Sequence, residues 1–151
     1  MTQTFVEILI LTISTITTGF LLWIADVLKS IMNDMDLATF GRFMRWLYKR
    51  GIGSAFAVVI STVPMVAMIP YFIMYHFDHG WFTAGLIVFV LSSVAGKMFN
   101  LPVYNRILAL KEGETALFAE ERRKLKTANW IRALICLLSS ILMVIQFVGV
   151  K

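Results

Sequence analysis

The chain reads as an all-α integral membrane protein, an antiparallel four-helix bundle with short amphipathic helices on its cytoplasmic side. Three observations carry that reading. Of 151 residues, 59% are hydrophobic and only 15% charged, against roughly 25% charged in soluble domains. Apolar runs at about residues 5–24, 53–75, 81–99 and 130–150 each approach the ~20 helical residues that cross a hydrocarbon core. Lysine and arginine gather in the segments joining the first run to the second and the third to the fourth. Four crossings use most of the length, so residues 1–151 form one domain.

The first run follows a leader, Met1 to Glu7, with no positive charge and one acid, and Trp23, Ile24 and Asp26 stand where a small-residue cleavage site belongs. It therefore reads as a retained helix rather than a signal peptide. Thr4, Glu7, Leu11, Ser14, Thr15 and Thr18 fall near one face at helical spacing. A carboxylate facing lipid is costly, so this face points into the bundle. Glu7 has two readings there, interhelical hydrogen bonding or proton and ligand handling, and it lies near enough to the outer boundary to reach water.

Beyond Asp26, Leu37, Phe40, Met44 and Leu47 recur on one side while Arg42, Arg45 and Lys49 take others. This predicts a short amphipathic helix in the cytoplasmic interface, capped by Asp36, with Trp46 and Tyr48 at headgroup level. Gly51 and Gly53 permit the turn into the second span. Within that span Pro64 and Pro70 each remove a backbone donor, predicting a kinked or locally opened helix whose freed carbonyls neighbouring helices satisfy.

Only His76 to Gly80 joins spans two and three, which makes them antiparallel neighbours. Ser92 and Gly96, four apart, permit close approach by another helix. The third connection is longer; Pro102, Gly113 and the charged stretch Glu120 to Lys126 predict two helical pieces, the second running into span four. Cys136 in that span has no second thiol and reads as a small core residue.

The net charge of +5 does not imply nucleic acid, because of where the charge lies. Five basic residues from Lys29 to Arg50 and eight from Lys97 to Arg132 flank the two long connections, leaving only Lys151 on the other side. The positive-inside rule then makes the chain a multi-pass protein of the cell inner membrane, with two basic loops cytoplasmic and both termini outside, in the periplasm. Membrane lipids are its first partners, through anionic headgroups.

The densest polar group lies where spans three and four meet on the cytoplasmic side: Asn100 and Asn105 with Arg106, facing Asn129, Trp130 and Arg132. Arg132 precedes Ala133, Leu134 and Ile135, so it is set deeper than the other cations and calls for acceptors such as the asparagine carbonyls. One reading is a polar clamp on the helix ends. The other is an Arg and Asn pocket, walled by Trp130, for an oxygen-bearing aromatic or anionic ligand.

Asn100-Leu101-Pro102-Val103-Tyr104-Asn105-Arg106-Ile107-Leu108, followed by Ala128-Asn129-Trp130-Ile131-Arg132-Ala133, resembles the paired motif of the anthrone oxygenase-like family of small four-helix membrane proteins. Trp46-Leu47-Tyr48-Lys49-Arg50-Gly51 is similar to that family's loop before its second helix. The resemblance implies an apolar aromatic ligand and, as in named members, oxygen-dependent conversion of anthrones to anthraquinones. It carries over Asn105 and Arg132 first, with Asn100, Asn129 and Trp130 in support. Where the family motif often offers a histidine this chain has Asn129, so no imidazole base or metal ligand at this end is implied.

His76 and His79, three apart around Asp78 on the outer turn, are the chain's only histidines. On a helical turn they would share a side, and with Asp78 would offer ligands to copper or zinc. That set lies across the membrane from the Asn and Arg cluster. No nucleotide loop, nucleophilic triad or thiolate metal motif occurs. Two functional classes stand first: a protein binding an apolar aromatic molecule between helices, with its oxidation as the reaction the resemblance implies, or a non-catalytic subunit of a homo- or hetero-oligomeric assembly. A small transporter comes third, since Glu7 is essentially the lone ionisable group between helix ends. No cofactor is indicated.

Overall fold

The computed structural model describes residues 2–149 apart from Glu112. The described residues form helices joined by short turns, with no strand among them. We number five helices: α1, Gln3–Asp34; α2, Leu37–Ile52; α3, Ala55–Tyr75; α4, Gly80–Ala109; and α5, Thr115–Val148. All but α2 are long and apolar enough to cross a membrane. Helices α1 and α4 each run ten residues past the end of their apolar run, nearly three turns, because buried Leu28 and Met32 continue the inner face of α1, and buried Val103 and Ile107 that of α4.

Local chemistry fixes the ends. Asp36 caps α2, its carboxylate accepting from the Thr39 amide at 2.9 Å and the Thr39 hydroxyl at 2.6 Å, so the expected cap is present. These two bonds, the hydroxyl first, hold the Asp36 carboxyl below its ordinary value. Ser54 caps α3 by accepting from the Ala57 amide at 3.3 Å. Gly149 ends α5 at φ 75°, a left-handed conformation that glycine adopts without a Cβ penalty. Both α1 and α4 contain one wide turn of π-helix, at Ile24–Leu28 and Gly96–Asn100.

Those π turns sit where one core gives way to another. On the side of the chain termini, Ile10, Leu21, Tyr71, Phe82, Leu86, Phe89, Cys136 and Met143 pack together. Beyond the π turns, Leu28, Met32, Phe40, Met44, Val103, Ile107, Phe118 and Leu125 form the second core. Helix α2 lies against this second core through Phe40 and Met44 and exposes Arg42, Trp46, Lys49 and Arg50.

Helix α5 is the axis, packed most extensively on α4 and next on α1. It approaches α4 tightly at Gly85, where an added Cβ would stand 2.9 Å from the Ser139 carbonyl oxygen and 2.5 Å from Met143 Cγ. The Ser139 hydroxyl donates to the Gly85 carbonyl at 2.8 Å across this contact. Ser92 donates to the Arg132 carbonyl at 3.1 Å, and a Cβ on Gly96 would stand 3.0 Å from Arg132 Nε. The small residues at 92 and 96 thus admit α5 as the spacing predicts. Thr18 joins α1 to α5, its hydroxyl 2.8 Å from that of Ser140.

Helix α3 leans on α1 more than on α4, the neighbour the short turn predicts. Its tethers explain the preference. Pro64 lacks the N–H that would bond the Ile60 carbonyl, and Thr17 of α1 donates to that carbonyl at 2.8 Å. Tyr71 makes the second tether, to Glu7. Thr17 is therefore on the buried face of α1, with Glu7, Ser14 and Thr18, whereas Thr4 and Thr15 are exposed.

Where the chain turns polar, Arg122 of α5 closes the end of α1, donating to the carbonyls of Met32 at 2.7 Å and Met35 at 2.9 Å. Its guanidinium also lies over the Phe40 ring. A cation on the unsatisfied carbonyls of a helix C-terminus complements their partial negative charge. Glu121, nearly buried, pairs with Arg106 at 2.9 Å and Lys124 at 3.0 Å.

Candidate functional site

Two polar constellations lie inside the bundle, one near each end. The first surrounds Arg132. The π turn of α4 carries Asn100 inward, and its side-chain amide donates to the Asn129 carbonyl at 2.5 Å. That bond spends one polar atom of each asparagine. Asn100 Oδ1, Asn129 Nδ2 and Arg132 Nε are buried without a hydrogen-bond partner. Among the described residues no carboxylate pairs with Arg132.

Arg132 is also a wall shared by three adjoining cavities. The largest, about 490 Å³, is lined by Tyr48, Ser61, Met65, Asn100 and Tyr104 among others. A second of about 400 Å³ reaches Trp23, Leu28, Leu47 and Tyr104. The third, about 190 Å³, lies between Phe20, Leu21, Ala57 and Ile60. The space opens where α3 stands away from α4, between the α1 tether at Ile60 and helix α2. Its chemistry is one planar cation in a chamber with aromatic and aliphatic walls, the usual make-up of a small-molecule site.

Of the residues the sequence singled out, the fold brings Asn100, Asn129 and Arg132 together. Asn105 is exposed: five residues on from Asn100, it lies about 140° around an α-helix at 100° per residue. Trp130 packs half-buried against the main core rather than lining the chamber. The chamber's aromatic walls are instead Tyr48 and Tyr104. Tyr48 was visible as a residue of the headgroup level, and α2 folding back under the bundle turns it inward.

The second constellation is built on Glu7, which is fully buried. Its Oε1 accepts from the Tyr71 hydroxyl at 2.5 Å and from Gln3 Nε2 at 3.1 Å, and lies 2.7 Å from His79 Nδ1. Its Oε2 is buried with no partner. His79 is 34% exposed, so the carboxylate is one side chain away from solvent. Tyr71 is held by an aromatic cluster of Phe72, Tyr75 and Phe82.

This arrangement corrects the reading of the His76 to Gly80 turn as a set of shared metal ligands. His79 turns inward to Glu7, while His76, at φ 53°, and Asp78 are exposed. Among the described residues no three His, Cys, Asp or Glu side chains converge as metal ligands. Glu7 itself makes interhelical bonds and does not reach water. The sequence holds the signal for this pairing: the one acid of the first span and the histidines of the short turn are assigned to the same side, and a buried carboxylate calls for a donor.

Compared with models of protein families, with curated proteins and with solved structures, the chain matches none.

Proposed function

We propose that the chain is an inner-membrane protein that binds an apolar, oxygen-bearing aromatic molecule in the chamber beside Arg132. In this reading the four apolar helices form an antiparallel bundle with both termini outside. Helix α2 is an amphipathic helix in the cytoplasmic interface, as are the polar ends of α1, α4 and α5. The charge asymmetry of the connections supports that orientation.

The observation that carries the proposal is the partly buried Arg132 side chain, whose Nε is buried with no acceptor and which has no carboxylate partner among the described residues, facing a chamber of about 490 Å³ walled by Tyr48 and Tyr104. A donor buried without an acceptor is costly. A carbonyl or phenolate oxygen supplies the missing acceptor, and a flat apolar ring suits aromatic walls. The resemblance to anthrone oxygenase-like proteins supports the same ligand class and adds oxidation by dioxygen as the reaction. Asn100 Oδ1 and Asn129 Nδ2 offer one acceptor and one donor beside the cation.

Native mass spectrometry of the protein released from its own membranes tests the proposal. A bound aromatic molecule, lost in Arg132→Met but retained in Arg123→Met, is the expected result. A folded Arg132→Met variant that keeps the same molecule sinks it. A second reading, a non-catalytic assembly subunit, draws support from α3, which has only Ile60, Pro64 and Tyr71 buried. Crosslinking from Val66 or Ile73, both exposed, would then capture a stoichiometric protein partner.

A further inference from the structure

On the side of α4 turned away from the Arg132 chamber, a groove of about 430 Å³ runs between α4 and α5. Its lining follows one stripe of each helix: Met98, Phe99, Pro102, Val103 and Arg106 on α4, and Arg123, Lys124, Thr127, Ala128 and Ile131 on α5. Each stripe runs over nine residues, eight steps, so the groove is about 12 Å long at 1.5 Å per residue. Two cross-helix bonds fix the register. Arg106 pairs with Glu121 at one end, and Asn100 bonds Asn129 towards the other.

That register sorts the lining by polarity. All three cations stand at the end where α4 finishes and α5 begins, and Met98, Phe99 and Ile131 stand at the opposite, membrane-ward end. Met98 is 63% exposed and Phe99 46%, so this end is an open apolar trough.

The cations are unequal. Arg106 and Lys124 are held by Glu121, and Lys124 also by Glu120 at 2.6 Å. The Arg123 guanidinium makes no hydrogen bond or ion pair with any described residue. Three cations against two carboxylates leave one net positive charge, and Arg123, whose charge reaches Glu120 only at a distance, is the cation without a direct pair. One uncompensated arginine beside the Thr127 hydroxyl, at the head of an apolar trough one acyl segment long, has the shape and charge of a phospholipid site.

We infer that the α4–α5 groove binds one acidic phospholipid of the leaflet facing the basic connections, its phosphate on Arg123 and an acyl chain along Met98, Phe99 and Ile131. The site is separate from the Arg132 chamber and does not depend on what fills it. Charge complementarity selects an anionic lipid over a zwitterionic one, because a choline headgroup would bring its own cation to the two already paired there.

The test uses the full chain in nanodiscs of phosphatidylglycerol and phosphatidylcholine, with native mass spectrometry counting the lipids retained after the disc is stripped. One phosphatidylglycerol per protein, enriched over the disc composition, is expected. Arg123→Ala lowers that retention about fivefold, the contribution of one basic residue at a membrane surface, and Ile131→Trp lowers it by filling the trough with every charge intact. Arg50→Ala, which removes an exposed cation from α2, leaves retention unchanged. Equal loss in Arg50→Ala, or full retention in both groove variants, overturns the proposal. So does displacement by glycerol phosphate at the concentration of the lipid, which would reduce the site to an anion site without a chain.

Discussion

Pro64 and Thr17 should be coupled through the Ile60 carbonyl, and the size of the coupling follows from the geometry. In a regular helix the N–H of residue 64 bonds the carbonyl of residue 60. Proline has none, and Thr17 donates in its place at 2.8 Å. In Thr17→Val the shape is kept and the Ile60 carbonyl is left unpaired in an apolar span. Measured interhelical hydrogen bonds in membranes average about 0.6 kcal/mol and reach about 1.7. A carbonyl with no alternative partner belongs at the upper end, so Thr17→Val should cost about 1.5 kcal/mol. In a Pro64→Ala background residue 64 regains its N–H, and the same substitution should cost about 0.5 kcal/mol or less. The Thr17 bond to its own Ile13 carbonyl, at 2.9 Å, is lost in both backgrounds and cancels, leaving a coupling of about 1 kcal/mol. Equilibrium unfolding in mixed lipid and detergent micelles across the four variants measures it. An equal cost in both backgrounds would show that the proline is not the reason Thr17 is needed.

Three further outcomes are expected. Gly85→Ala places a methyl 2.9 Å from the Ser139 carbonyl oxygen and 3.0 Å from the Met143 nitrogen; since both are backbone, α4 and α5 must part, at a cost of about 1–3 kcal/mol, and an unchanged unfolding midpoint contradicts the close approach. Glu7→Leu strips an acceptor from Tyr71, His79 and Gln3 together and should cost about 3 kcal/mol, with Glu7→Gln costing less because its amide oxygen still accepts from Tyr71; a ranking in the reverse order rejects the geometry at Oε1. The Asp36 carboxyl, held low by the Thr39 hydroxyl and amide, supports the start of α2 above its unfolded value of 3.8 and loses that support as the pH falls through the lower folded value. The Thr39 amide resonance should therefore titrate below pH 3.8 and stay fixed in Asp36→Asn; titration at or above that value refutes the cap.

The sequence made the four spans, the Asp36 cap, the small-residue contact at Ser92 and Gly96, and the need for a partner to the proline-freed carbonyl readable, because each depends on a few neighbouring residues. What it left open was rotation and depth. At 100° per residue Thr15 and Thr17 lie about 80° to either side of Glu7, so spacing alone does not choose between them, and the rotation of α1 that buries Thr17 decides who meets α3. Asn105 was grouped with Asn100 by nearness along the chain, whereas the helix separates them by more than a third of a turn. Tyr48 and Tyr104 as chamber walls, and His79 as the partner of Glu7, come from helices far apart in sequence, and no local period encodes such meetings. Asn100, Asn129 and Arg132 were found because polar residues at apolar depth are few, and burial without partners is visible as a chemical demand before any coordinates exist.

Helix α3 carries a consequence for how this chain can change over generations. Outside Ile60, Pro64 and Tyr71 its surface meets no packed neighbour closely enough to be buried, so most of its positions answer to solvation by lipid rather than to shape. Valine, leucine, isoleucine and phenylalanine are near-synonyms at its exposed positions, Val58, Val66, Ile69 and Ile73 among them, and substitutions among them should accumulate almost freely. Helix α5, with ten buried positions from Phe118 to Met143, has no such latitude. Two helices of one bundle would thus age at different rates, and a set of divergent descendants would keep the axis legible long after the exposed positions of α3 had been rewritten around the few that meet the core.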